Sequence, residues 1–516
     1  MRMHRNKLVW RLTLVAILSV VPFMAGQASA QSPQGVMKGA IHHNLSADWL
    51  DPGITSFSTT CYIPLYFFHD ALLKPMPGSI YEPCLAESWT ISPDFTVYEF
   101  KLRKGVKFHN GDEMTAEDVV FSFQRYKAGA AKVMKDRIDK LEAVNPYLFR
   151  VTFKKPFPDF LDRLLPGTTT IAWVVPKKYI EKVGDAEYKK HPIGCGPYKF
   201  VEFTPGKRLV GEAFEGFWRK MPKIKRLEYY SVTEVSTRFA MAKTGELDWA
   251  VSMVDLYYER VKKDPNLRME MGYSPTYWTM MLAAQFDPKS PWADARVRKA
   301  ASLAIDRKTL ADVNQPGGGP VGTIGLPGDP ETVLFPPDPY DPAQAKKLLA
   351  EAGYPDGLQG GKYYRYSGAH GQTAEQVANY WKAVGIAVDT ILLDSPSFIT
   401  HARSGKMKGA NFMEAISAPT IGARLSYMFG PQSYYGDYPE TKALWAQYNQ
   451  AIDPTVRKER IGQIQKIMYD QRMALPLIMA TVPTAVNSRV KGNPFKMIKP
   501  FPFWFPCPME ELELNE

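Results

Sequence analysis

The sequence predicts an α/β protein of more than one domain. Two observations carry this reading. Capped helices that stop at a glycine are followed at once by β-rich runs, the order of a layered α/β fold. The 516 residues are also 45% apolar and 13% aromatic, a composition of large packed cores. That length points to two or three domains.

Residues 1–30 read as a cleavable leader. Arg2, Arg5, Lys7 and Arg11 form a basic start, "LTLVAILSVVPFMAG" an apolar core, and "ASA" at Ala28–Ala30 a small-residue cleavage site. The apolar core falls short of the roughly 20 residues of a membrane span, and no other run approaches that length. Cleavage after Ala30 implies an exported chain starting at Gln31, which is not the Cys of a lipid anchor; the periplasm is the expected compartment. The leader takes four of the 64 basic and none of the 53 acidic residues, so a net charge of +11 becomes +7. No basic block concentrates it, and nucleic acid is not an expected partner. The four cysteines, Cys61, Cys84, Cys195 and Cys507, allow three pairings between which the sequence does not choose.

The elements follow in order. "FTVYEFKLR" sets Tyr98, Phe100 and Leu102 against Glu99, Lys101 and Arg103, a period-two strand. Asn110-Gly111 then marks a turn. Thr115 stands where a helix begins, Asp118 completes a near capping box, and Val119, Val120 and Phe123 supply the buried stripe. His109, Asp112, Glu113, Glu117 and Asp118 resemble a metal or acid–base cluster, yet each has a local structural task. "ADARVRKAASLAIDRKTLA" reads as one helix, and Asn314–Pro342 as a long irregular surface segment rich in Pro and Gly. The "GGG" at Gly317–Gly319 lacks the Lys-Ser/Thr of a phosphate loop. Asp341 caps a helix with Pro342 at its first position and Gly353 beyond its end. Thr373 and Gln376 open another, which Gly385 closes before a strand over Ile386–Leu393.

Enzyme chemistry finds little support. G-x-S-x-G, H-E-x-x-H and G-x-x-x-x-G-K-[ST] are all absent. His42-His43 is a poor metal pair if extended, because neighbours on a strand face opposite ways. No metal or cofactor is expected.

The segment "LAESWTISPDFTVYEFKLRKGVKFHNGDEMTAEDVVFSFQR" (Leu85–Arg125) resembles the signature region of the family-5 extracellular solute-binding proteins, the peptide/opine/nickel-type receptors of ABC importers. "LDP" at Leu50–Pro52, "GCGPYKF" at Gly194–Phe200, "GELDWAV" at Gly245–Val251, "DARVRKAASLAIDR" at Asp294–Arg307, "DPAQAKKLLAEAGYPDG" and "QKIMYDQRMALPL" continue the resemblance in the family's order. It implies a two-lobed α/β periplasmic-binding-protein fold with a two-strand hinge. Lobe 1 would be 31–275 plus 485–516, with an extra subdomain at about 76–189, and lobe 2 would be 276–484. The hinge strands would be "PTYWTMML" from Pro275 and "MATVPTAV" from Met479. The implied partners are a small-molecule solute and an ABC permease complex in the inner membrane, and the implied state is a monomer without enzymatic activity.

The resemblance also proposes ligand contacts: Thr55, Ser56 and Phe57 in the loop after "LDP", Tyr277 and Trp278 at the hinge, and Phe412, Glu414 and Ser417. Arg365, His370, Phe398 and Tyr427 complete the set. In the dipeptide and oligopeptide receptors an aspartate four residues before a proline holds the ligand ammonium. Alignment on Pro419 places Ala415 there, and Phe412 at the family tryptophan. The dipeptide receptor's carboxylate-binding arginine corresponds to positions near Gly371 and Gln372. A buried ligand charge without a partner is costly, so the expected ligand is a small or medium organic solute other than a free dipeptide. The alternatives are a peptide receptor with other anchors, such as Glu414 for the ammonium, and a periplasmic hydrolase.

Overall fold

The computed structural model describes residues 32–54, 62–76, 79–127, 129–164, 173–254, 256–366, 369–393, 397–398, 401, 407, 410–418, 420–429, 439–492 and 508–515. Alternating burial makes Val97–Leu102 a central strand: Tyr98, Phe100 and Leu102 are buried and Lys101 is exposed. It pairs antiparallel with Ala86–Ile91 and Leu148–Phe153, and Ile138–Asn145 completes a four-stranded sheet. After the turn at Gly111 (φ 92°), the Thr115 N–H donates to Asp118 Oδ2 at 2.8 Å and starts the helix Ala116–Arg125. Asp118 also accepts the Lys177 N–H at 2.9 Å. Glu113 accepts the Gly105 N–H and the Tyr147 hydroxyl, both at 2.8 Å. These carboxylates hold a turn, a cap and a neighbouring helix start.

A ten-stranded sheet forms the rest of the frame. On one side Gln34–Ile41 lies parallel to Ile224–Ser231 and Trp249–Ala250, with Arg208–Ala213 and Tyr198–Thr204 added antiparallel. On the other side Leu358–Tyr366 lies parallel to Ile386–Leu393 and to Asn411–Ser417. Two long antiparallel strands, Leu267–Met281 and Ala474–Asn487, join the two sides. Their ladder pairs Leu267–Tyr273 with Thr481–Asn487, then shifts register before Tyr277 meets Met479. Pro275, which has no N–H to donate, lies inside that gap.

The cores follow the same division. One contains Phe67, Phe100, Phe149 and Tyr198. A second surrounds Trp278, Trp292 and Trp381, and a third holds Phe398, Phe412, Ile461 and Met468. Gly385 (φ +98°) ends the helix Ala369–Ala383, and a Cβ on Gly357 would stand 2.5 Å from the Gly385 carbonyl oxygen. That close approach is what glycine permits between a helix end and the next strand.

Three local expectations change. The helix expected from Thr373 starts at Ala369, leaving Thr373 fully buried within it. The single helix expected after Asp294 is two, Ala295–Leu303 and Arg307–Asn314, because Asp306 accepts the Thr309 N–H at 3.0 Å and starts the second. The segment after Asn314 is irregular, but it is not a surface segment throughout: Gln315, Thr323, Leu326 and Asp329 are buried. Cys84 and Cys195 are buried free thiols; Cys61 and Cys507 lie outside the described residues.

Candidate functional site

Where the two sides of the molecule meet, polar groups from distant segments are buried together. The irregular segment organises one half. Asp329 accepts the N–H of Ile421, the first residue of the helix Ile421–Phe429, and those of Glu331 and the Thr332 hydroxyl at 3.1 and 3.0 Å. An anion at a helix N-terminus is favoured by the aligned peptide dipoles. Glu331 then accepts the Tyr448 hydroxyl at 2.8 Å and Arg457 Nε at 3.2 Å. Arg457 stacks on the Tyr448 ring, 4.0 Å from its centroid.

The other half comes from the short helix Phe160–Leu164, packed under the four-stranded sheet through Phe157 and Phe160. Asp159 forms an ion pair with Arg457. Asp162 accepts the Thr420 hydroxyl at 3.0 Å and the hydroxyl of Tyr81. Burial, then the nearby Asp159 charge, raises the Asp162 pKa to about 7. Burial also raises Asp329 and Glu331. It opposes the Arg457 charge, but Asp159, Tyr448 and Glu331 outweigh it and hold the guanidinium above its ordinary value.

One turn into the helix Ile421–Phe429, fully buried Arg424 lies over the Tyr277 ring at 4.9 Å. Burial pushes the Tyr277 pKa up to about 12 despite the opposing Arg424 charge. Tyr277 and Trp278 are adjacent on a strand and face opposite ways: Tyr277 packs with the first core, Trp278 with the second. The structure thus separates two residues that sequence reasoning grouped. It unites two others, since the Phe398 and Phe412 rings meet at 6.1 Å within the third core. Arg365 reaches Glu375 at 3.1 Å.

The backbone of Glu414 and Ser417 belongs to the strand Asn411–Ser417, that of His370 to the helix Ala369–Ala383, and that of Tyr427 to the helix Ile421–Phe429. Thr55, Ser56 and Phe57 lie outside the described residues. Sequence reasoning missed Arg424, Arg457, Asp159 and Asp162. None sits in a motif, and their association arises only in three dimensions.

At the carboxyl end of the parallel strand Gln34–Ile41, the His42 and His43 rings lie 3.9 Å apart. They stand beyond the strand, so strand alternation does not separate them. His42 Nδ1 is 3.0 Å from the Ser252 hydroxyl. Among the described residues no group of three or more His, Cys, Asp or Glu is arranged to hold a metal ion. A cavity of about 30 Å³ beside Arg307, Asp338 and Arg472 has room for about one water, far below a solute site.

The family model for bacterial extracellular solute-binding proteins, family 5 (middle), matches residues 81–435. Glutathione-binding protein GsiB of Shigella boydii is 27% identical over 432 residues, covering 79% of this chain and 82% of its own. Heme-binding protein A of Haemophilus influenzae is 28% identical over 454 residues, covering 80% and 81%. The ABC transporter-associated periplasmic binding protein DppA of Helicobacter pylori, solved with the peptide STSA, superposes with a TM-score of 0.77 at 22% identity, covering 93% of this chain and 98% of its own. That likeness gives the architecture above its name, the two-lobed periplasmic-binding-protein fold. No described helix is long and apolar enough to cross a membrane. With the family matched over most of its length, the chain belongs to the family-5 bacterial extracellular solute-binding proteins, the substrate-capturing components of ABC importers.

Proposed function

We propose that this protein works in the periplasm after cleavage at Ala30, as a monomer that captures an organic solute between its lobes and presents it to an inner-membrane permease. The observation that carries the reading is the pair of long strands linking the lobes, with a register break around Pro275, together with polar contacts that join the segments assigned to the two lobes. Such strands absorb the backbone rotation of a hinge. A solute that contacts both lobes shifts the population towards the closed form. The lobe limits that fit this reading are 31–275 plus 485–516, with the subdomain at about 76–189, and 276–484.

Tyr277 and Arg424, with Thr55, Ser56 and Phe57, are the contacts we propose for the solute. A buried cation over an aromatic ring suits a solute with an anionic group and an apolar or hydroxylated body. Free dipeptides are disfavoured, because Ala415 stands where the ammonium-binding aspartate is expected and Gly371–Gln372 offer no charge for the carboxylate. Relatives named for glutathione and heme, and a structural neighbour solved with a peptide, differ widely in ligand. The family fold therefore leaves the choice of solute to such side chains.

Native mass spectrometry of the purified protein, followed by denaturation, should release a bound small molecule. In a thermal-shift screen that compound at about 100 times its Kd should stabilise by about 2.7 kcal/mol, and common dipeptides should not. Dipeptides that raise the melting temperature while other solutes fail would favour the peptide-receptor reading. Stoichiometric binding without product is expected; turnover would identify a hydrolase.

A further inference from the structure

We infer that Asp159 and Asp162 of lobe 1, with Thr420 and Arg457 of lobe 2, form a proton-sensitive latch that holds the lobes closed independently of the solute. The inference rests on the reading that the two lobes open and close. It extends that reading by giving the four-stranded subdomain a task, since its short helix carries Asp162 and Asp159 directly precedes it.

On this reading the contacts that join the two lobes belong to the closed form. Arg457 pairs with Asp159 across 298 positions of chain, and Thr420 donates to Asp162 across 258. Tyr448, also from lobe 2, stands 3.5 Å from Asp159. The remaining contacts stay within one lobe: Glu331 and Tyr448 with Arg457, Asp329 with the Ile421 N–H, Tyr81 with Asp162. Opening therefore breaks a small set of interlobe bonds and leaves both halves of the latch assembled.

Carboxylates crowd this contact, with Arg163 beside Asp162 on the same short helix. Asp162 faces Asp159 just before its helix, Tyr81 and Tyr98 from the subdomain strands, Glu331 from the irregular segment, and Thr420 and Tyr448 from lobe 2. Arg137 stands near Asp159 on the subdomain side. Asp159 and Glu331 thus share the buried Arg457, and Arg424 acts on Asp329. Closure brings Asp159 and Asp162 of one lobe towards Asp329 and Glu331 of the other, and a proton on Asp162 relieves the repulsion.

The sign follows by linkage. On this proposal opening exposes Asp162 to water and returns its pKa towards the ordinary value of 3.8, whereas in this structure burial and the Asp159 charge raise it to about 7. The closed form binds more protons between those values, so closing is least favoured above pH 7 and gains as pH falls through that range. Between pH 8 and pH 6 the closing constant should rise about tenfold.

Small-angle X-ray scattering on the ligand-free mature chain, fitted as two states at pH 8 and pH 6, tests this. Wild type should show the roughly tenfold rise, Asp162→Asn less than a twofold one, and Arg457→Met a shift towards the open form at both values. Asp159→Asn, which keeps the side-chain shape, should also open the protein. Circular dichroism checks that each variant folds. A wild type that does not respond to pH, an unchanged response in Asp162→Asn, or closed-form scattering in both Arg457→Met and Asp159→Asn would overturn the latch. The solute reading is scored separately, by mass spectrometry of the bound compound, so either idea can fail while the other stands.

Discussion

The guanidinium of Arg457 is buried against the carboxylate of Asp159 and forms an ion pair between segments 298 positions apart in the chain. Removing one partner of a buried pair leaves a charge without compensation, which costs roughly 3–5 kcal/mol when the site cannot reach water. Under the proposed hinge the lobes part, so the cost should appear first as opening. A double-mutant cycle of Asp159→Asn and Arg457→Met should give a coupling of about 1–3 kcal/mol in solute affinity. A coupling near zero, read by isothermal titration with the co-purified compound, would mean that the pair does not bias closure.

Asp338 makes a contrasting case within lobe 2. It binds Arg472 through both oxygens, at 2.8 and 2.7 Å, and also Lys299 and Ser302. Burial opposes its charge, but these bonds outweigh it and hold its pKa well below the ordinary value of 3.8. A depressed carboxylate gives stability that is present above its unfolded pKa and lost as pH falls towards the folded one. Asp338→Asn should therefore destabilise by about 3 kcal/mol at pH 7. The gap to wild type should narrow as pH drops below about 4. Urea titrations at pH 7 and pH 3.5 measure both values.

Local signals explain how far the fold was legible. The strand Val97–Leu102, the Asn110-Gly111 turn and the helix from Thr115 could be read because period, turn chemistry and caps are properties of neighbouring residues. The helix start at Ala369 and the break before Arg307 were missed. In the first, burial overrides the cap signal at Thr373; in the second, Asp306 caps a new helix inside a continuous apolar stripe. The site was less legible still. Tyr277 and Trp278 look equivalent in sequence, yet strand alternation sends them to different cores. The pairing of Arg457 with Asp159 leaves no trace within either segment.

The "GCGPYKF" motif gains a physical reason. A Cβ on Gly194 would stand 1.9 Å from the Phe68 carbonyl oxygen, and one on Gly196 2.6 Å from the His69 nitrogen. Backbone cannot retreat as a flexible side chain can, so Gly194→Ala should cost at least the roughly 1–3 kcal/mol of an overpacked core. His109 is part of the same packing, with Nε2 3.0 Å from the Gly196 carbonyl oxygen. The urea midpoint of Gly194→Ala should fall with little change in slope. An unchanged midpoint would show that the loop has room to move.

Arg424 carries the sharpest prediction about the solute. It sits fully buried over Tyr277, one turn beyond Thr420, whose side chain reaches Asp162. If its charge meets an anionic group of the solute, Arg424→Met should keep most of the packing volume and weaken binding at least tenfold, about 1.4 kcal/mol. Arg424→Lys should recover only part of this, because an ammonium lacks the planar fork that stacks on a ring and pairs with a carboxylate at once. Tyr277→Phe should cost less than either, since the ring remains. Titration of the released compound into each variant orders the three. Wild-type affinity in Arg424→Met would remove Arg424 from the site and turn attention to Thr55–Phe57, which follow "LDP" in the sequence.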